Sequence, residues 1–223
     1  MAKHTTAYSK GHNMKNNFLL ELPNKEILKG IDGAILDTEG EHLAYIASLV
    51  PKTGVVVELG SHKGKSTCYI GSSLKHAGKN KVSLHCVDLW TKGDINTQYS
   101  ILRPERNYGQ MYHSADAYRL FNSQTARVGI SYLITQHMVD TIELSEAWDT
   151  PIDFLFIDAN HLYEGIHGDW ENWNGFVKKG GYVSFHDYNN QWEGVQRVVD
   201  KEVDYTKWKK IATVNSLYTI KKL

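Results

Sequence analysis

Asp158, His161, His186 and Asp187 are the side chains with the most chemistry in this sequence. Asp158 closes the apolar run 152–158 (I-D-F-L-F-I-D), and Asp187 follows 182–186 (Y-V-S-F-H), so each carboxylate ends a segment that reads as a buried strand. If those strands are neighbours in one parallel sheet, all four side chains gather at its C-terminal edge. The carboxylates of Asp158 and Asp187 suit Mg2+, which would bind vicinal hydroxyls of an acceptor and lower their pKa. An imidazole with an ordinary pKa near 6.5 can take a hydroxyl proton, which makes His161 and His186, with Asp158, the candidate catalytic residues. Either histidine could equally do no more than bond backbone at a strand end.

A second group lies at 54–67, G-V-V-V-E-L-G-S-H-K-G-K-S-T. Val55, Val56 and Val57 read as a strand buried on both faces, and Glu58 puts a carboxylate at its end. Gly60 and Gly64 bracket a tight turn, and 65–74 can continue as a helix. Glycines let backbone approach a ligand, and a helix N-terminus offers unpaired N–H groups. Three ligands compete for this cradle. A nicotinamide dinucleotide wants G-x-G-x-x-G, whereas the spacing here is G-x-x-x-G. A phosphate-gripping P-loop wants four residues between its glycines and finds three, although 154–158 (F-L-F-I-D) resembles the strand and Asp that would hold Mg2+. S-adenosylmethionine carries cationic sulfonium and amino groups, which a Glu at a strand end suits better than it suits a triphosphate. A strand–helix turn with no ligand is the plain alternative.

The elements that must position these groups follow in order. Residues 39–49 read as a helix with Leu43, Ile46 and Leu49 in register, ended by Pro51 and expected to lie over the cofactor end. Residues 81–88 (K-V-S-L-H-C-V-D) form the second strand. Its terminal Asp88 is placed to accept ribose hydroxyls, or else is an ordinary loop acid. Residues 91–112 are polar, aromatic-rich and aperiodic, which predicts a substrate lid or an exposed insertion. Helices are expected at 115–124, 140–148, 164–177 and 194–203, and strands at 131–135, 152–158 and 182–186. In 164–177, Ile166, Trp170, Trp173 and Val177 share one face, so the tryptophans read as core, and Gly180-Gly181 reads as the helix end. Residues 208–214 and 217–220 read as a closing hairpin around Asn215-Ser216. Strands alternating with helices imply an α/β fold with a parallel sheet and an antiparallel edge.

Composition narrows the partners. The 223 residues fit a single domain spanning 1–223, with 1–17 polar and flexible and 18–50 a helical accessory segment. Lysine and arginine number 25, as do aspartate and glutamate, which gives no electrostatic case for nucleic acid or a membrane surface. No run approaches about 18 apolar residues, and 1–17 lacks the apolar centre of a signal peptide, so a cytoplasmic location is the default expectation. Cys68 and Cys86 lack any paired spacing and read as small buried residues.

V-V-E-L-G-S-H-K-G-K-S-T, then V-D-L-W with Gly93-Asp94, then F-I-D-A-N-H-L-Y-E-G, then G-G-Y-V-S-F-H-D-Y resembles a bacterial group of class I S-adenosylmethionine-dependent methyltransferases. The group includes sugar O-methyltransferases of macrolide and aminocoumarin biosynthesis and the cephalosporin hydroxylase-like proteins. The resemblance covers roughly 30–205. It implies a Rossmann-like, doubly wound seven-stranded sheet of order 3-2-1-4-5-7-6, with cofactor and acceptor meeting between the first and fourth strands. It also implies cofactor contacts from Glu58, Gly60, Ser61, Gly64, Ser66 and Asp88. Some members bind Mg2+ through carboxylates at the positions of Asp158 and Asp187, and several carry two adjacent acids where this chain has His186-Asp187. The combined reading is an S-adenosylmethionine-dependent O-methyltransferase acting on a small hydroxylated acceptor such as a sugar or glycoside, with homo-oligomerisation open. The alternatives are a P-loop ATP-dependent kinase and a non-catalytic cofactor-binding hydroxylase-like protein.

Overall fold

The structure, a computed structural model, describes residues 18–90 and 116–223. The flexible segment expected at 1–17 and the lid expected at 91–112 fall outside the described residues. Near-continuous apolar runs, each interrupted by one acid (Glu58, Asp153), drive β1 (Val55–Leu59) and β4 (Ile152–Ile157) into the middle of one sheet, where both faces are covered. The sheet has seven strands in the order β3-β2-β1-β4-β5-β7-β6, as the resemblance implies. β2 (Ser83–Val87), β3 (Ile134–His137) and β5 (Val177–Phe185) join β1 and β4 in parallel register. β6 (Trp208–Val214) and β7 (Leu217–Lys222) close the far edge as an antiparallel hairpin turned by Asn215 at φ 51°.

Helices bury each face. On one side α2 (Asp37–Leu49), α3 (Lys65–His76) and α4 (Ala117–Val128) pack Leu43, Ile70 and Phe121 with Val56 and Phe154. On the other, α6 (Tyr163–Trp173) and α7 (Glu193–Arg197) pack Ile166, Trp170, Trp173 and Val195 with Val57 and Leu155. Both tryptophans are core, as their spacing predicts, and Cys68 and Cys86 are free and buried. Two further short helices are α1 (Lys25–Lys29) and α5 (Thr141–Glu146), and the strand expected at 131–135 starts only at Ile134, after a 3-10 turn at Ser131–Leu133. Among the described residues no helix is long and apolar enough to cross a membrane.

Other elements differ from expectation as well. α6 stops at Trp173, and Gly180-Gly181 does not cap it but lies inside β5. Val177 already pairs with Ile152, and the next pair is Tyr182 with Phe154, so 178–181 bow out opposite Asp153. Gly180, at φ 82°, supplies the left-handed residue such an irregularity needs. The helix expected at 194–203 is α7 followed by a π turn, Val198–Glu202. α2 starts beside the glycine turn, where Asp37 pairs with Lys65 at 3.0 Å, and from there it crosses α3. Gly40, where a Cβ would fall 2.4 Å from the Tyr69 ring, lets it pack across α3, and its first turn reaches toward β5 and β7.

Candidate active site

At the end of β1 the chain must reverse within a few residues, and the glycines are there because nothing else fits. Gly60 sits at φ 87°, and a Cβ on it would lie 2.2 Å from the carbonyl oxygen of Asp158. Gly64, at φ 84°, begins α3 and faces Phe121. Glu58 is fully buried beneath this turn. Its carboxylate accepts hydrogen bonds from the hydroxyls of Ser61 (2.9 Å), Ser66 and Thr67. Burial pushes its carboxyl up to about 6, against the lowering effect of those hydroxyls. Glu58 therefore underpins the turn rather than lining the cavity above it, and Ser66 spends its hydroxyl on the same task.

Asp88, one residue past β2, is the tie on the other side. It accepts from the backbone N–H groups of His62 and Trp90, each at 2.8 Å. The Trp90 indole in turn donates to the carbonyl of His62 at 2.7 Å, and its ring packs on Phe121 with centroids 4.7 Å apart. Gly60, Ser61, Gly64, Ser66, Asp88 and Trp90 line one end of a cavity of about 370 Å³. Asp158, His161, His186, Asp187 and Trp192 line the other end. That volume falls within the range of small-ligand sites.

The four residues expected at the acceptor end converge. His161 Nε2 lies 3.2 Å from Asp158 Oδ1 and 3.0 Å from Asp187 Oδ2. His186 Nδ1 lies 3.1 Å from Asp158 Oδ1 and 3.4 Å from Asp187 Oδ2. Asp187 adopts φ 58°, a left-handed turn that directs the chain away as soon as β5 has delivered His186. The remote nitrogen of His186, Nε2, lies 3.2 Å from Oε2 of Glu39 on α2. Glu39 is held by the backbone N–H of Leu36 (2.8 Å) and by the N–H (3.0 Å) and hydroxyl (2.8 Å) of Ser216 in the β6–β7 turn.

Charge follows this geometry. Burial alone would lower the His161 ring, but hydrogen bonds with Asp158 and Asp187 outweigh it and raise the pKa to about 9. Burial is outweighed at His186 too, whose pKa the charge of Asp158 and bonds to Asp187 and Glu39 carry far above the usual imidazole range. Asp158, Asp187 and Glu39 are held below the usual carboxylate range, because the neighbouring rings overcome the effect of burial. With no ion between them, neither ring is a free base near neutral pH. The quartet brings two oxygens and two nitrogens to one point, which fits a divalent ion by convergence, although Mg2+ prefers oxygen alone.

Glu39, Trp192 and Asp140 were not legible as site residues. Glu39 stands three residues past Leu36, where an acid in a helix first turn ordinarily serves its own N-terminus, and here it serves Leu36 and His186 together. Trp192 carries no pattern, yet its ring packs on His161 with centroids 4.7 Å apart. Asp140 lines the cavity and caps α5 through Ile142 N–H at 2.9 Å.

Residues 57–188 match the family described as methyltransferase domain. The uncharacterized protein y4gI of Sinorhizobium fredii (strain NBRC 101917 / NGR234) is 29% identical over 133 residues, which is 59% of this chain. The chain spans 13% of the length of that curated relative. Among solved structures, the O-methyltransferase TomG from Streptomyces achromogenes, in complex with SAM, superposes with a TM-score of 0.59 at 15% identity, covering 93% of this chain and 92% of that one. An rRNA methylase from Streptococcus thermophilus superposes with a TM-score of 0.54 at 13% identity, covering 83% and 94%. These likenesses are of fold. The family match overturns the P-loop kinase alternative, and the buried carboxylate of Glu58 beneath the turn accounts for it, since an anion there repels phosphate.

Proposed function

The chain belongs to the methyltransferase-domain family, and from that premise we propose that it moves the methyl group of S-adenosylmethionine to a hydroxyl oxygen of a small acceptor, a sugar or glycoside. The observation that carries this reading is the single cavity joining the glycine turn and Asp88 to Asp158, His161, His186 and Asp187. Gly60, Ser61, Gly64 and Ser66 offer backbone to the cofactor, Asp88 takes its ribose hydroxyls, and Glu58 keeps the turn in shape from below. Trp192 supports the glycoside reading: an aromatic face beside a cluster of carboxylates and imidazoles is the mixture of apolar and polar surface that a sugar ring presents in return.

In this proposal an acceptor hydroxyl hydrogen-bonds to Asp187, which lines the cavity as an ionised carboxylate. His161 and His186 orient that carboxylate. As the oxygen–carbon bond forms and the carbon–sulfur bond breaks, the hydroxyl becomes strongly acidic, so even a weak base suffices, and its proton passes to Asp187 and on to water. Alignment of oxygen, methyl carbon and sulfur supplies much of the rate. Asp158, His161, His186 and Asp187 would hold a divalent ion, whose charge when bound lowers the pKa of an acceptor hydroxyl.

Calorimetric titration with S-adenosylmethionine and with ATP tests the cofactor, with binding of the former in the micromolar range expected, about −8 kcal/mol. Turnover of a panel of monosaccharides, glycosides, catechols and short RNAs, read by mass gain of a methyl group, tests the acceptor. Methylation confined to RNA, or a cofactor that binds with no turnover on any arm, defeats the small-acceptor reading.

A further inference from the structure

The acceptor end departs from an all-oxygen metal site in a specific way: His186 stands where the resemblance expects an acid, and His161 enters from the loop after β4. The donor atoms of Asp158, His161, His186 and Asp187 all lie within 4.8 Å of one another. Donors placed about 2.0–2.2 Å from one ion lie within roughly 4.4 Å of each other, so the quartet is a few tenths of an ångström from closing around one. Neighbouring donors, at 3.0–3.4 Å, already have the separation of adjacent ligands on a shared ion.

The surroundings of His186 add an independent observation. A metal-bound imidazole almost always hands its other ring N–H to a carboxylate or carbonyl, which fixes the tautomer and orients the ring. Nδ1 of His186 faces the quartet, and Nε2 faces Glu39, a carboxylate buried with it and pinned by Leu36 and Ser216. Glu39 is not one of the four clustered donors, and it lies outside the family-matched segment 57–188.

We propose that Asp158, His161, His186 and Asp187 form a two-nitrogen, two-oxygen site for a divalent first-row transition ion (Mn2+, Fe2+ or Zn2+) rather than Mg2+, and that Glu39 is its outer carboxylate. Imidazole nitrogen is a poor partner for Mg2+, which keeps its waters and asks for six oxygens, and a good one for the later ions. Glu39 is a positioning residue, acting through His186. The proposal rests on the transferase reading only for the purpose of the ion; the site itself is read with metal alone.

Metal-stripped full-length chain is titrated with MnCl2 under electron paramagnetic resonance, with ZnCl2 by calorimetry, and with MgCl2 as competitor. One Mn2+ per chain is expected, bound at least about tenfold more tightly than Mg2+, with nitrogen modulation of its electron spin echo from coordinated imidazole. Glu39→Gln should weaken Mn2+ by about 10- to 100-fold, while His186→Asp should abolish the nitrogen signal from that ring and let Mg2+ compete. S-adenosylmethionine calorimetry on each variant reports folding independently. Absence of Mn2+ and Zn2+ binding to the wild-type chain, equal affinity for Mg2+, or bound Mn2+ without nitrogen coupling would overturn the proposal. Metal binding without S-adenosylmethionine binding would instead remove the transferase reading and leave the metal site standing.

Discussion

Oε2 of Glu39 lies 3.2 Å from Nε2 of His186, joining the first turn of α2 to the end of β5 across 147 positions of sequence. Both groups are buried, so the contact is between partners that have given up water for each other. Glu39→Ala leaves a buried imidazole nitrogen and the Ser216 N–H without an acceptor. Breaking such a pair costs about 3–5 kcal/mol, measurable as a lower urea midpoint at unchanged slope. Because Glu39 does not line the cavity, S-adenosylmethionine affinity should stay within about twofold. A destabilisation below about 0.5 kcal/mol would mean that the pair contributes nothing net, as at exposed sites.

Asp88 has two roles. It ties the glycine turn through His62 and Trp90, and it borders the cavity. Asp88→Ala should weaken S-adenosylmethionine by about 1–3 kcal/mol, the usual cost of stranding hydrogen-bonded groups. Asp88→Asn keeps one of the two acceptor oxygens and sets an NH2 against the other N–H, so it should recover only part of the thermal stability and part of the affinity. Full affinity in both variants would reduce Asp88 to a turn tie.

The glycines of the chain rank sharply by what surrounds them. Gly60→Ala puts a methyl 2.2 Å from backbone of the neighbouring loop, at a φ that side chains avoid, so nothing nearby can yield. Gly78 also has a left-handed φ, 66°, but open space around it. Gly78→Ala should cost only about 1 kcal/mol, whereas Gly60→Ala should abolish cofactor binding and lower the melting temperature by well over 5 °C. Comparable losses in the two variants would show that φ alone, and not contact with the loop at Asp158, governs the position.

Glu58 predicts a pH effect of defined sign. Its folded pKa, about 6, lies above its ordinary value of 4.5. Its contribution to stability is therefore fully present below about 4.5 and is lost as pH rises through about 6. Glu58→Gln removes the titration while keeping an acceptor oxygen. The difference in unfolding free energy, variant minus wild type, should move in the variant's favour by roughly 2 kcal/mol between pH 4.5 and 8. A difference that is flat with pH would place the Glu58 pKa at its unfolded value.

Much of this architecture was legible because it rests on local pattern. The apolar runs of β1 and β4 have no polar face to turn outward, and the alternation of strand and helix implies a parallel sheet, whose strand order the family resemblance supplied. The glycine turn, Asp88 and the four acceptor-end residues were legible for the same reason: each sits at the end of a strand, and parallel strands bring their ends together. Gly180-Gly181 misled because a glycine pair after a helical pattern reads as a cap, while the pairing of Val177 with Ile152 had already begun the strand. Glu39 was hidden because its partner is set by how α2 crosses α3, through the missing side chain of Gly40 against Tyr69, and periodicity within one helix does not report crossing.

The two ends of the cavity differ in when they can exist. The cofactor turn, with Glu58, Ser61, Ser66 and Asp88, is drawn from within a span of 31 residues; the bonds from Ser61, Ser66 and His62 to Glu58 and Asp88 close over at most 26 positions, and the longer one from Gln124 to the Lys63 carbonyl closes over 61. The bond from Ser216 to Glu39 closes over 177. At a synthesis rate of about 5–20 residues per second, Glu39 is made roughly 9–35 s before Ser216. For that interval Oε1 of Glu39 lacks both of its bonds from Ser216. The hairpin β6–β7 is thus the last part of the sheet to be laid down and the one that completes the seat of Glu39 behind His186, so the acceptor end waits on strands made well after the local bonds of the cofactor turn.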